Sequence, residues 1–328
     1  MGWLALVLTL LIEQVRAVPP GNAVYEGTRA WAERVAHNLN AGKARHGIYG
    51  WILVVGVGVL LTGAAFEAAR EIGWLAALAV DVLVLFFTFG FRQFSHPITT
   101  IQEALDRGDA DTARRLFVEW RRESDPGFDP TGLHPGEIAR HSIEAGLIAA
   151  HRHVFGVLFW FVVLPGPTGA VLFRLGEFLA RRWNEAPQVS GVAVAPDRFG
   201  DFARTAFAWI DWLPARLTSA GYAIVGDFEG AAWCWRNVDL STAPPEQASR
   251  ILMLAVAGGA LGMRVLGGAE SVRHLEDREG EDGVVLADPD PRAMRSAIAL
   301  AWRALVLWMG LLLLLTLVAA LSFARAAA

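Results

Sequence analysis

Residues 48–66 read IYGWILVVGVGVLLTGAAF and determine which kind of fold this chain can adopt. A helix of about 20 apolar residues crosses roughly 30 Å of hydrocarbon, because its backbone polar groups bond within the helix itself. Two more stretches have the same character, at 73–91 (GWLAALAVDVLVLFFTFGF) and 304–323 (ALVLWMGLLLLLTLVAALSF). The sequence therefore predicts an all-α, polytopic membrane protein with at least three spans and the lipid bilayer as a partner.

The composition excludes several other classes of protein. Of the 328 residues, 54% are hydrophobic and only 19% are charged, which argues against a purely soluble chain. The net charge of -4 gives no cationic field, so no nucleic acid partner is expected. Cys234 is the single cysteine and no metal-ligand spacing stands out, so neither a metal nor a bound cofactor is predicted.

A further apolar stretch, VFGVLFWFVVLPGPTGAVLFRL at 154–175, is broken by Pro165-Gly166-Pro167. These prolines remove helical donors, so the stretch is either a re-entrant hairpin or a kinked span. Both flanks are rich in Arg, which favours a chain that enters and returns on the cytoplasmic side. We therefore expect a multi-pass membrane protein.

The predicted organisation has five consecutive segments. They are N-terminal membrane helices at 1–91 with a clear hairpin at 48–91, a cytoplasmic helical segment at 92–153, broken and membrane-associated helices at 154–267, an acidic linker at 268–303 and a C-terminal transmembrane helix at 304–328. Within the second segment, the apolar periodicity predicts two amphipathic helices that are separated at Gly108.

Charged residues in apolar surroundings are the first candidates for function. Asp81 lies near the middle of the second apolar stretch, where an acid is costly unless it faces the interior of a helix bundle. A structural hydrogen bond and a functional role both remain open for it. We also predict that the proline-broken stretch and IDWLPARL line a polar recess, in which Arg174 and Arg216 bind either Asp211 or an anionic small molecule.

A second group of candidates precedes the proline-broken stretch. In HPGEIARHSIE, Glu144 shares one helical face with Glu137 and His141, but the HExxH and ExxH metal spacings are absent. A solvated or packed face is therefore favoured. His151, Arg152 and His153 follow, for which interfacial anchoring is the simpler interpretation and contact with a headgroup or an anionic ligand is the alternative.

Several of these stretches occur in the order found in one known family. LVLTLLIEQVR, LFWFVVLPGPTGAVLFRL, IDWLPARL and GYAIVGDFEGAAWCW together resemble the AmpE group of the CobD/CbiB superfamily. The superfamily's enzymes make adenosylcobinamide phosphate in the membrane by joining an aminopropanol moiety to adenosylcobyric acid. The AmpE group comprises inner-membrane modulators of signalling linked to cell-wall recycling and β-lactamase induction.

The resemblance departs from the enzymes at one polar signature, ENTSDG. Its place is taken by residues 148–153, which read IAAHRH. Forming an amide from a carboxylate requires positioned polar groups that stabilise charge. The absence of the ENTSDG residues predicts a non-catalytic, AmpE-like modulator or binding protein with a membrane or cytoplasmic signalling partner. The alternative is a divergent cobalamin-pathway ligase that acts on a corrinoid and uses His151, Arg152 and His153 instead.

Overall fold

The computed structural model describes residues 2–15, 21–41, 43–124, 133–184, 198–241, 243–266 and 284–327. These residues are almost entirely helical, which confirms the all-α prediction. The helices are α1 (Gly2–Val15), α2 (Ala23–Leu39), α3 (Ala44–Ile72), α4 (Trp74–Thr88), α5 (Phe91–Asp106), α6 (Ala110–Ser124), α7 (Pro135–Val163), α8 (Thr168–Arg182), α9 (Asp201–Val225), α10 (Phe228–Asn237), α11 (Pro245–Leu261) and α12 (Ala293–Ala327).

Within the described part of the chain, three helices are long and apolar enough to cross a membrane, namely α3, α7 and α12. Helices α3 and α12 contain the predicted spans at 48–66 and 304–323. The predicted span at 73–91 forms only α4, whose 15 residues fall short of a membrane-spanning length. The helix is short because Gly73, with a φ of 152°, precedes it and extended backbone at Phe89 ends it.

Helix α7 is a candidate span that begins well before the predicted apolar stretch at 154–175. It runs without interruption from the predicted cytoplasmic segment into the proline-broken stretch, through a π-helical turn at His151–Phe155. Its polar residues Glu144 and His151 obscure the apolar run, but both side chains have partners in the folded chain. A paired polar group costs much less to bury than an isolated one, so the helix tolerates them.

The chain divides into two compact units, the first of which comprises residues 1–90 and 152–214. Its core places Val54 and Val55 of α3 against Phe178 and Leu179 of α8. Helices α3 and α8 therefore form a packed framework on which the polar residues of α8 are held.

The proline-broken stretch is a helical hairpin in this first unit. The chain reverses at Gly166, whose φ of +58° lies in the left-handed region that favours glycine. Thr168 donates a 2.7 Å hydrogen bond to the Pro165 carbonyl, one of the acceptors at the break. The close approach of α8 to the end of α7 requires Gly169, because a Cβ there would lie 1.9 Å from the Trp160 carbonyl oxygen.

The second unit comprises residues 91–151 and 215–328. Helices α5 and α6 are amphipathic and meet at Gly108, with a φ of +75°, as the periodicity predicts. Much of the predicted acidic linker at 268–303 lies outside the described residues. The C-terminal helix begins already at Ala293 rather than at 304, because Asp290 accepts a hydrogen bond from the Ala293 amide and caps the helix.

Candidate functional site

Three arginines surround one buried carboxylate in the first unit. Arg174 donates a 3.3 Å hydrogen bond to Glu177 Oε2. Arg181 Nε and Arg152 Nη1 each lie 3.5 Å from Glu177 Oε1. We call Arg152, Arg174 and Arg181 the arginine cluster and Glu177 its central carboxylate. His153 lies near enough to interact electrostatically with both Glu177 and Arg174.

The charge on Glu177 is maintained by its neighbours. The residue is only 5% exposed, and burial by itself opposes ionisation of a carboxyl. The attraction of Arg181, Arg174 and Arg152 outweighs burial and lowers the pKa of Glu177 to about 2. A buried, ionised carboxylate therefore holds three guanidinium groups in place at neutral pH.

Two local features of the sequence build the cluster. Arg174, Glu177 and Arg181 stand at i, i+3 and i+7 on α8, so they share one helical face. Arg152 comes from the π-helical turn of α7, and single π turns inside α-helices occur frequently at functional sites. The helix hairpin then brings the π turn beside the second half of α8.

The sequence identified only part of this cluster. Arg174, Arg152 and His153 were predicted as candidates in separate stretches, and the structure brings them together. Glu177 and Arg181 were missed, although the charge spacing RxxExxxR at 174–181 is a detectable signal for a helical ion-pair face. In the described contacts, Arg174 pairs with the carboxylate of Glu177. The sequence analysis did not consider Glu177 as its partner.

Glu144 belongs to a separate network in the second unit. Its carboxylate contacts Arg250 of α11 and lies 3.5 Å from His141 Nδ1, while Arg140 lies 2.9 Å from the other imidazole nitrogen. Glu137 instead accepts a 3.0 Å hydrogen bond from the His134 amide and caps α7. No group of three or more His, Cys, Asp or Glu side chains in the described ranges is placed to hold a metal.

Two further candidates are buried on different helices. His151 is 3% exposed in the second unit, and its Nδ1 lies 2.9 Å from the Thr218 hydroxyl on α9. Asp81 is 3% exposed on α4 in the first unit, and its Oδ1 has no hydrogen-bond partner in the structure as described. The ion pairs that define the arginine cluster involve neither His151 nor Asp81.

The two proline-containing stretches of the predicted recess do meet in the first unit. Pro214 lies inside α9 and cannot donate to the Ile210 carbonyl, so Trp160 Nε1 of α7 donates a 3.1 Å hydrogen bond to it. Phe173 packs against Phe207 nearby. Asp211 is buried at 9% exposure on the same helix, and Arg216 follows Pro214 in the second unit. A neighbouring helix thus supplies the donor that Pro214 lacks.

Replacing Trp160 by Phe is expected to destabilise the protein by about 1–3 kcal/mol, because the Ile210 carbonyl would lose its donor. Trp160→Phe should destabilise the protein less in a Pro214→Ala background, since the backbone N–H of residue 214 can then donate to the Ile210 carbonyl. Thermal unfolding of the four proteins in detergent measures the coupling. An equal cost in both backgrounds would show that the indole does not serve this carbonyl.

The fold and the cluster together define a helical membrane protein with a buried carboxylate held among arginines. A family model described as CobD/Cbib protein matches residues 3–301, and the chain belongs to the CobD/CbiB family. The chain is 29% identical over 286 residues to the cobalamin biosynthesis protein CobD of Stutzerimonas stutzeri, covering 86% of this chain and 87% of the relative.

A second relative carries the same name in Chromobacterium violaceum. It is 33% identical over 198 residues, which is 60% of this chain and 58% of the relative. No solved structure matches the chain.

The comparisons correct the functional prediction. The chain was expected to be a non-catalytic, AmpE-like signalling modulator, and that expectation is wrong because both relatives are named as cobalamin biosynthesis proteins. The absence of the ENTSDG residues therefore carried too much weight in the prediction. The cobalamin alternative is the better supported one.

Proposed function

We propose that this chain is a membrane enzyme of cobalamin biosynthesis that forms an amide between a corrinoid carboxylate and an aminopropanol moiety. The observation that carries the proposal is the family match over residues 3–301, together with the name of the Stutzerimonas relative along 87% of its length. The corrinoid enters as substrate. A multi-pass location in the inner membrane fits the three long apolar helices.

In this proposal the arginine cluster stabilises negative charge during amide formation. A phosphoryl donor first converts the corrinoid carboxylate to an acyl phosphate. The amine nitrogen then bonds to the acyl carbon, the C–O bond to the phosphate breaks, inorganic phosphate leaves and the nitrogen loses a proton. Negative charge develops on the remaining oxygen in the tetrahedral state, where fixed cationic donors are most effective. The side chains of Arg152 and Arg174 are 36% and 22% exposed, so neither is fully enclosed by protein. Glu177 orients them.

The proposal is tested in a bacterial strain that lacks its own enzyme for this step and requires cobalamin for growth. We expect the chain to restore growth and the amidated corrinoid to be detected by mass spectrometry. Arg174→Met should lower the rate of product formation by about 100-fold, because one charge-stabilising donor is lost. Arg70→Gln is the matched control, since Arg70 lies on an exposed face paired with Glu67.

A lack of product in cells whose membranes contain the folded protein would contradict the proposed activity. Folding is checked independently by thermal unfolding of the same membrane extract in detergent. Equal product from the Arg174→Met and Arg70→Gln proteins would instead remove the arginine cluster from the reaction.

A further inference from the structure

One titratable side chain beside the arginine cluster has no role so far. His153 lies in the π-helical turn of α7 and interacts electrostatically with the four charged side chains there, namely Arg174, Glu177, Arg181 and Arg152. The residue is half-buried, and neither ring nitrogen takes part in a hydrogen bond among the described residues. A neutral imidazole has one nitrogen that accepts a proton. That nitrogen is therefore available in His153.

The other groups at this place are poor proton acceptors at neutral pH. A guanidinium is always protonated in proteins and has no acceptor. Burial opposes the charge on Glu177, but the three arginines outweigh it and lower its pKa to about 2, so this carboxylate is a weak base. Tyr25 of α2, which interacts with Arg174, carries a phenol hydroxyl that is not a base near pH 7. Among the groups that the described residues bring together here, His153 remains as the base.

The two neighbouring histidines differ in what their rings contact. The Nδ1 atom of His151 lies 2.9 Å from the Thr218 hydroxyl, so that ring is engaged inside the protein. The ring of His153 instead meets three guanidinium groups and one carboxylate, which leave net positive charge beside it. A like charge disfavours the imidazolium form. Electrostatics therefore favours the neutral imidazole that a proton acceptor requires.

We infer that His153 is the general base that takes the proton from the attacking amine, an assignment that rests on the proposed function. The amine nitrogen bonds to the carbon of the acyl phosphate, the C–O bond to the phosphate breaks, and inorganic phosphate leaves. The proton that this nitrogen loses passes to the free ring nitrogen of His153. The imidazolium then releases the proton to water, which restores the neutral ring.

The test uses the full-length protein in nanodiscs, supplied with adenosylcobyric acid, aminopropanol and ATP as the phosphoryl donor. The amidated corrinoid is quantified by mass spectrometry. A positioned general base contributes about 10²–10⁴ in rate, so His153→Gln should lower kcat by about 100-fold at pH 7 and leave the KM for the corrinoid within about threefold. His37→Gln is the matched control, because His37 is exposed on α2 and should not affect the rate.

Two further readouts distinguish a general base from a structural residue. The kcat of the wild type should fall about tenfold per pH unit once the base is protonated, and this acidic limb should be missing in His153→Gln. Added imidazole should raise the rate of His153→Ala at least about tenfold in a saturable way, because it supplies the missing base. It should not restore Arg174→Met, in which a cation and not a base is lost.

The outcomes separate this assignment from the proposed function. Absence of product with the folded wild type would reject the proposed function and His153 as its base together. Product from the wild type, combined with an equal rate for His153→Gln and His37→Gln, would reject His153 alone. An acidic limb that persists in His153→Gln, or a His153→Ala protein that imidazole does not restore, would also reject His153. Thermal unfolding in the same nanodiscs shows which variants are folded.

Discussion

Replacing Glu177 by Gln is expected to destabilise the protein by about 3 kcal/mol at pH 7. The glutamine keeps the shape of the side chain, but it leaves Arg152, Arg174 and Arg181 without the charge that all three contact. Removing one partner of a buried ion pair costs about 3–5 kcal/mol, and the lower end applies because the arginines are partly exposed. Chemical unfolding in detergent, followed by circular dichroism, measures the difference.

The same substitution predicts a pH dependence with a defined sign. The pKa of Glu177 is lowered from 4.5 to about 2 in the folded chain, so its stabilisation is complete above about pH 4.5 and is lost as the pH falls towards 2. This lowering of the Glu177 pKa corresponds to about 3 kcal/mol of stability. The difference in unfolding free energy between wild type and Glu177→Gln should therefore fall to under about 1 kcal/mol at pH 2.

The exposed carboxylate Glu67 provides the control for this experiment. It pairs with Arg70 at 2.8 Å, but both side chains are more than half exposed. Exposed pairs contribute little, so Glu67→Gln should change stability by at most about 1 kcal/mol. The difference in unfolding free energy between wild type and Glu177→Gln should be larger than this and should depend on pH. A difference that is equally small, or that stays constant from pH 7 to pH 2, would contradict the electrostatic role of Glu177.

The second large effect is expected at Gly169. A Cβ there would lie 1.9 Å from the Trp160 carbonyl oxygen and 2.4 Å from its carbon, so the backbone of the hairpin must move to admit a methyl group. Overpacking of this kind costs about 1–3 kcal/mol and occasionally more. We expect Gly169→Ala to lower stability by about 3 kcal/mol, because the obstacle is backbone and not a flexible side chain. Thermal unfolding in detergent checks the value.

Gly310 offers the same substitution in an open position. It lies in α12, and a Cβ added there meets no heavy atom within 4 Å. Alanine favours a helix over glycine by up to about 1 kcal/mol, so Gly310→Ala should be neutral or stabilising. If Gly169→Ala and Gly310→Ala shift the melting temperature in the same direction and by the same amount, the tight hairpin contact does not constrain the fold.

The helical class and two of the long apolar helices could be predicted from sequence, because a continuous apolar run needs no knowledge of its neighbours. Helix α7 could not, since Glu144 and His151 interrupt its apolar run and their partners Arg250 and Thr218 lie far away along the chain. The length of α4 was also missed. Its ends depend on backbone conformation at Gly73 and Phe89, which hydropathy does not report.

The candidate site shows the same division. Arg152 and Arg174 were recognisable as cations beside a proline-broken stretch, and RxxExxxR places Glu177 on the face of Arg174. The choice of Glu177 as the shared partner was not recognisable, because it depends on which face of α8 turns towards the π-helical turn of α7. The functional error had a different origin, because the change at residues 148–153 was taken as a loss of activity and the names of the relatives contradict that interpretation.

The sequence by itself determined that this chain builds apolar helices, breaks one of its apolar stretches at Pro165-Gly166-Pro167 and carries the ordered stretches of the CobD/CbiB family. These features depend on local composition and order, which hold for any arrangement of the helices. Only the tertiary structure decided that Arg152 joins Arg174 and Arg181 around Glu177. Charge pairing acts over a few ångströms in space, so the packing of the helices and not the spacing along the chain selects the partners.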